Sequence, residues 1–427
     1  MHSKKNTTTS PGEQPDFIKL FPKLDALSLA DDELRKLAEA MKEGEEAANP
    51  SSDSKVISNG LSIFSQFLAH DITFERGSNL SRDDNSINAF RNDRTIQLDL
   101  DCIYGQKSQS FYYNKKDPDK LLLGQKYKYE DLTWYDLQRN KNHIAIIPDA
   151  RNDENIIVSR LQVLFIQFHN KMVDYLRANK EEENNVFAAA RKSVIWHYHW
   201  LILHEYLYKI MDWSVFHKIL KDGSKYYQDS TSLPLEFSGA AFRVGHSQTR
   251  EFNRINDLTE KKLLELGFFQ TMDEYVDWHY IFDFGDGKCQ FGKLIDSQIG
   301  NSFHQLPFLK GQENSLPFLN LKRGVAYGLP SGEDVARTMD FEPIEISETR
   351  HLSGTPLWFY ILSEAAQLGH EGEHLGPVGS TILGECFYTI LKKDQQSYLH
   401  AAPHWRPTIG KEPGFFNFTD MVRFILE

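Results

Sequence analysis

The chain is poor in cysteine, has no excess of positive charge and contains no long apolar run. Its 427 residues include three cysteines, Cys102, Cys289 and Cys386, far apart and odd in number. They form neither a disulfide framework nor a CxxC metal site. Lys plus Arg total 48 against 60 Asp plus Glu, a formal net charge of −12. Nothing in that balance attracts phosphate backbones or anionic lipid, so nucleic acid is not an expected partner. No apolar stretch reaches the roughly 18 residues that a membrane-spanning helix needs, and mean hydropathy is −0.50. Met1 to Lys19 is polar and lacks the apolar centre of a secretory signal. The expected location is therefore cytoplasmic, or extracellular if a leader has been removed. Strand-like alternation is sparse, and there is no internal repeat.

What is present is helical periodicity and many histidines, 16 in all. At ~150 residues per domain the length allows two or three domains or one large one. A core of that size can bury a prosthetic group. No linker divides the chain. We read residues 1–15 as a disordered arm and 16–427 as one mainly α domain with few short strands. Leu61, Phe64, Phe67 and Leu68 repeat at spacings of three and four, the mark of an amphipathic helix, with Ser62, Gln66 and His70 on another face. The pattern also predicts helices over 31–47, 155–177, 186–211, 239–250, 258–266, 333–340, 357–367, 379–392 and 418–427. Of these 155–177 is the clearest, and 186–211 is apolar almost all round and so buried. Residues 78–150 read as loops and short elements.

Five segments could carry chemistry, and each has a plainer reading. His70 followed by Asp71 on an apolar helix can be a satisfied core histidine. Thr95, Asp99 and Asp101 place oxygen ligands in a loop that could converge on a hard cation, or face solvent. Arg151 and Glu154, three apart before a helix, point the same way; Asn152 or Asp153 can equally be a helix cap beside a surface ion pair. Small residues around Arg243, Gly245 and His246 let a flat ligand approach. Asn320 to Arg323 forms the fifth segment.

In this order the five segments resemble the animal-type haem peroxidases of the peroxidase–cyclooxygenase superfamily, and the bacterial members in particular. The likeness is closest in Arg151-Asn152-Asp153-Glu154-Asn155, Ala241-Phe242-Arg243-Val244-Gly245-His246 and Leu321-Lys322-Arg323-Gly324, with Gly372-Glu373-His374-Leu375-Gly376-Pro377 similar to bacterial members. The resemblance implies haem b held by proximal His246, whose Nδ1–H is accepted by the Asn320 amide oxygen. It implies distal His70 as acid–base group for H₂O₂, Arg151 as the distal arginine, and Gln66 as the residue that orders distal water. Arg243 and Arg323 match arginines near a haem propionate and the proximal side. A ferryl haem would then oxidise phenols, aromatic amines, iodide, bromide or thiocyanate. A Ca²⁺ ion is implied at Asp71, Thr95, the Gln97 carbonyl, Asp99 and Asp101. Many relatives attach haem by two esters. The Glu position is kept as Glu154, but the Asp position is Ala69, so one ester at most is expected and chloride oxidation is disfavoured.

Three rivals remain open. A fatty-acid dioxygenase of the same superfamily would carry Tyr-x-Trp-His, but positions 243 and 245 are Arg and Gly. A dedicated metabolite oxidase is compatible with every motif. An adhesion module that kept the fold would have no need of His70, Arg151 and His246 together. The literal HExxH at His370–His374 would need a helix to bind zinc, and Gly369, Gly372, Gly376 and Pro377 break it. His197, His199 and His204 read as core packing. The oligomeric state is not legible.

Overall fold

A computed structural model of the chain describes residues 15–44, 52–76, 90–105, 112–129, 132–180, 185–266, 274–309 and 313–426. The expected N-terminal arm lies outside these residues apart from Pro15. The described part is mainly α, and its strands form five two-stranded pairs, such as Phe17–Ile18 parallel to Leu233–Pro234. No described helix is long and apolar enough to cross a membrane.

The central layer is the helix Asn59–Ile72 packed on the helix Ile156–Ala178. Both begin at side-chain caps. Ser58 accepts from the Leu61 N–H, and Asn155 accepts from those of Ile157 and Val158, which satisfies donors that a helix start leaves unpaired. Asn155 is thus the cap, not Asn152 or Asp153. The two helices meet through aromatic rings: Phe67 stacks on Phe165 at 5.0 Å with planes 8° apart, and Phe64 meets Phe418 of the helix Phe418–Leu426 edge-on at 4.8 Å. Both rings of the first helix are fully buried. Burying a phenylalanine contributes about 1.5–3 kcal/mol, and these pairs fix which face of the Asn59–Ile72 helix turns away from the core.

The helices expected at 31–47, 333–340, 357–367, 379–392 and 418–427 are found as Asp31–Ala40, Gly332–Thr338, Leu357–Leu368, Pro377–Lys393 and Phe418–Leu426. The segment 186–211 is not one α-helix. It is α over Val186–Trp200, π over Leu201–Tyr206 and α again over Leu207–Ile210. The helix expected at 258–266 is wrong. Asn256 Oδ1 accepts from the N–H groups of Leu258 and Thr259, both at 2.7 Å. That Asx turn reverses the chain, so Glu260–Lys262 pairs with Phe252–Arg254 as a hairpin. The helix expected at 239–250 is broken into Leu235–Gly239, a 3₁₀ turn at Ala241–Arg243, and Gly245–Gln248. Ala240, at φ −136° and ψ −74°, leaves the helical region and makes the break. Among the described residues, the helices of ten or more residues that the pattern did not predict are Trp213–Asp222 and Leu316–Ala326; the second carries Asn320 and Arg323.

Candidate functional site

Gln66 and His70 lie one turn apart on the Asn59–Ile72 helix. Earlier on the same stripe, Ser62 Oγ donates to the Gln248 carbonyl at 3.2 Å, and Ser65 lies so close to Gly245 that any Cβ there would collide with its hydroxyl. Gly245 and Gln248 bracket His246. The stripe Ser62–Gln66–His70 therefore faces the segment that carries His246.

Around His70 the chain builds a closed shell. The ring is buried, and Nδ1 lies 2.7 Å from Asn152 Oδ1. Burial, then the positive charge of Arg151, lowers its pKa to about 4, so the imidazole is neutral at pH 7. Arg151 sits on the 3₁₀ turn Ala150–Asp153. Its guanidinium donates to the His70 carbonyl at 3.0 Å and to Asp149 through Nε at 3.0 Å and Nη2 at 2.6 Å. It also lies over the Phe74 ring at 4.5 Å. Asp149 is shared with Arg94 Nη2, again at 2.6 Å. Burial pushes the Asp149 carboxyl up, but Arg151 and Arg94 outweigh it and hold it below the usual range. Arg94 also reaches Asp101 at 3.4 Å, so two cations and two carboxylates alternate beside His70. Gln66 Nε2 reaches Glu154 Oε2 at 3.3 Å, and burial raises the Glu154 carboxyl. Arg151 and Glu154 do not pair with each other, as a surface ion-pair reading would have it; each turns to a member of the His70 stripe.

On the other side, burial, then Arg243 and Arg323, lowers the pKa of His246 to about 3. A neutral imidazole is the form that binds a metal. Asn320 stands beside His246 as expected, but with the other face of its amide. Arg243 Nη1 donates to Asn320 Oδ1 at 3.2 Å, so the amide presents Nδ2, not Oδ1, to His246 Nδ1 at 2.8 Å. A guanidinium can only donate, which fixes this orientation. Arg323 donates to Glu75 Oε2 at 3.0 Å, and the Tyr327 hydroxyl donates to the same oxygen at 2.9 Å. Arg243 is different. Its other bond is Nε to the Ser238 carbonyl at 2.9 Å, and among the described residues no carboxylate pairs with it. Burial, then Arg323, lowers its pKa to about 10. A buried guanidinium without an anion is costly. The residues therefore fit a haem: a neutral imidazole, a cation that no described carboxylate pairs with, and a second neutral histidine on the facing stripe.

The three carboxylates converge. Carboxylate oxygens of Asp71, Asp99 and Asp101 all lie within 4.8 Å of one another, the one such group of three or more ligand side chains among the described residues. Thr95 Oγ1 is 3.0 Å from Asp99 and 3.4 Å from the Gln97 carbonyl. Leu100, between Asp99 and Asp101, is left-handed at φ 56° and turns the chain into the short helix Asp101–Tyr104. A leucine there stores strain. Asp71 accepts from Tyr198 OH at 2.9 Å and from the Leu100 N–H at 3.3 Å. Burial, then Asp101 and Asp99, pushes its carboxyl well up; burial chiefly raises Asp101 to about 6.

The zinc-like pattern is structural. His370, Glu371 and Gly372 all have φ between 53° and 91°, so no helix forms, and His374 Nδ1 lies 2.8 Å from the Lys209 carbonyl. His197 and His199 bond backbone carbonyls of Ser193 and Leu98, each at 2.7 Å, inside an aromatic core. Arg94, Asn152 and Gln162 were not visible as site residues in the sequence. Nothing in their spacing signals it; they meet the site only through folding.

The animal haem peroxidase family profile matches residues 46–348. Two curated proteins of Caenorhabditis elegans are each 24% identical: Peroxidase mlt-7 over 264 residues, 56% of this chain and 34% of that one, and Heme peroxidase 2 over 297 residues, 60% and 40%. The chain thus matches well under half the length of these relatives. Among solved structures, Peroxidase A from Dictyostelium discoideum shares the fold at a TM-score of 0.64 and 14% identity, covering 90% of this chain and 88% of that one. The fatty acid alpha-dioxygenase of Arabidopsis thaliana does so at 0.59 and 16%, covering 87% and 71%.

Proposed function

This chain belongs to the animal haem peroxidase family, and from that premise we propose that it reduces H₂O₂ and oxidises small donors. The observation that carries the reading is neutral His246 beside Arg243, with which no described carboxylate pairs, set against a facing stripe that bears His70 and Gln66. His246, Arg243 and Arg323 would hold the haem, and Glu154 would be the residue for at most a single ester. Bound haem supplies the electron-transfer chemistry, by which H₂O₂ and two donor hydrogens give two waters and two donor radicals. His70 takes a peroxide proton on Nε2, the nitrogen Asn152 leaves free, and returns it to the departing oxygen. Arg151, kept cationic beside Asp149 and Arg94, stabilises negative charge on that oxygen. Ala69 in place of a second ester-forming Asp favours phenols, aromatic amines, iodide, bromide and thiocyanate over chloride. Arg243 at the position three before His246 removes the phenol that a dioxygenase would use. Asp71, Thr95, Gln97, Asp99 and Asp101 would hold Ca²⁺.

The test is guaiacol oxidation by the haem-loaded protein with H₂O₂. Activity in the native protein and a loss of about 100-fold or more in Arg151→Ala, at unchanged haem content, is the expected result. A native protein that binds haem but turns over no donor would end the reading.

A further inference from the structure

Four buried groups form a continuous hydrogen-bonded line that ends on the distal histidine. Gln162 Nε2 donates to the Cys102 carbonyl at 3.0 Å. Asn152 Nδ2 donates to Gln162 Oε1 at 2.8 Å. Asn152 Oδ1 lies 2.7 Å from His70 Nδ1. Asn152 and Gln162 have no exposed surface, so no water competes for these groups.

The direction of the line follows from its far end. A backbone carbonyl can only accept. It therefore fixes the nitrogen of the Gln162 amide, which turns Oε1 toward Asn152. Oε1 fixes the Asn152 nitrogen in turn, which leaves Oδ1 for His70. Reversing either amide would set two acceptors or two donors face to face in a dry interior, a cost of about 1–3 kcal/mol for each unpaired group.

We propose that Asn152, oriented by Gln162 and the Cys102 carbonyl, is a positioning residue that holds His70 in the tautomer with hydrogen on Nδ1 and a bare lone pair on Nε2. This rests on the peroxidase reading for its purpose but not for its geometry. Only the bare Nε2 can take a proton from peroxide; the other tautomer presents an N–H and has no base to offer. Asn152 Oδ1 also accepts from the imidazolium while the proton is held. The line is anchored in rigid parts: Gln162 lies on the Ile156–Ala178 helix, and Cys102 lies on the turn Asp101–Tyr104, whose N–H contacts Asp71 at 3.5 Å.

The experiment has two readouts. In the full-length chain labelled with ¹⁵N-histidine, before haem is added, His70 should show Nδ1 at a protonated and Nε2 at an unprotonated ¹⁵N shift. Asn152→Leu should move both toward the mixed values of a free imidazole. With haem bound, the same variant should react with H₂O₂ about 100-fold more slowly in stopped flow, with its Soret band retained. Gln162→Leu leaves Asn152 in place but frees its amide to turn, so it should also mix the tautomers. It serves as the deciding variant if Asn152→Leu does not fold. Nε2–H in the native protein, or both variants keeping the native tautomer and rate, would overturn the proposal. If the native protein does not react with peroxide, the peroxidase reading fails, while the ¹⁵N shifts still decide the tautomer.

Discussion

Removing divalent cations should destabilise the chain through the Asp71–Asp99–Asp101 cluster. Its carboxylate oxygens lie within 4.8 Å of one another. Two unit charges at that distance repel by about 3.5 kcal/mol at an effective dielectric of ~20, so three ionised groups cost on the order of 10 kcal/mol. At the same dielectric, Arg94 at 3.4 Å from Asp101 and Arg191 at 3.9 Å from Asp99 offset most of this, about 9 kcal/mol. Neither reaches Asp71, which is buried, faces both other carboxylates and pairs with no cation among the described residues. Asp71 is therefore the carboxylate that a proton or a bound cation would relieve. Calcium at 100 times its dissociation constant would stabilise the fold by about 2.7 kcal/mol. An unfolding entropy of ~2.1 cal/mol/K per residue over 427 residues is about 0.9 kcal/mol/K, so the melting temperature should rise by about 3 °C. The assay is thermal unfolding in EGTA and then with Ca²⁺ or Mg²⁺ added back. Asp71→Asn should melt at the same temperature with and without Ca²⁺. A native protein whose melting point is indifferent to both chelator and calcium would refute the cation site.

His246→Ala should fold but retain no haem, because the mutation leaves Arg243 without the ligand beside it; a Soret band of native intensity in the variant would remove His246 from the proximal role. Glu364 gives a pH prediction. Burial raises its pKa to about 7, against the usual 4.5, although the backbone N–H groups of Val378 and Gly379 partly hold it down. A carboxyl whose pKa is raised on folding favours the native state below the unfolded value and loses that contribution as pH rises through 7. From pH 5 to 8 the native protein should lose up to about 3 kcal/mol relative to Glu364→Gln in urea unfolding. Equal losses in the two proteins would show that Glu364 does not carry the effect.

The sequence made the polar stripe of one helix legible because Gln66 and His70 are four residues apart, and helical periodicity places them on one face whatever the tertiary structure does. The convergence of the acidic loop was legible for a similar reason, since Thr95, Gln97, Asp99 and Asp101 are neighbours in the chain. What local patterns could not show was anything decided by a distant partner. Asn152 looks like a helix cap, and only burial against Gln162 and His70 makes it something else. Arg94 stands at the edge of an acidic loop, yet Asp149, 55 positions on by number, binds it as firmly. Residues 258–266 have an apolar spacing that suits a helix, but one Asn256 side chain bonding two backbone N–H groups outweighs weak helix propensity. The π segment Leu201–Tyr206 hides inside an apolar run whose composition is the same for α and π.

The two histidines are prepared in opposite ways, and this asymmetry follows from what each amide partner can reach. Asn152 is oriented from behind by a line that ends on a backbone carbonyl, so its oxygen is committed to His70 before any ligand arrives. Asn320 is contested. Arg243 holds its oxygen, and the nitrogen is left facing His246. On the proposed reading His246 would offer Nε2 to iron only with the hydrogen on Nδ1, and that would require Asn320 to turn its oxygen over and Arg243 to let go. The exchange is favourable if Arg243 gains an anion: a hydrogen bond with a charged acceptor contributes about 1.5–3 kcal/mol, against about 0.5–1.5 kcal/mol for a neutral one. A haem propionate would supply that anion, and no described carboxylate of the chain does. The His246 side would thus depend on the ligand for its final tautomer, whereas the His70 side is oriented by the fold alone.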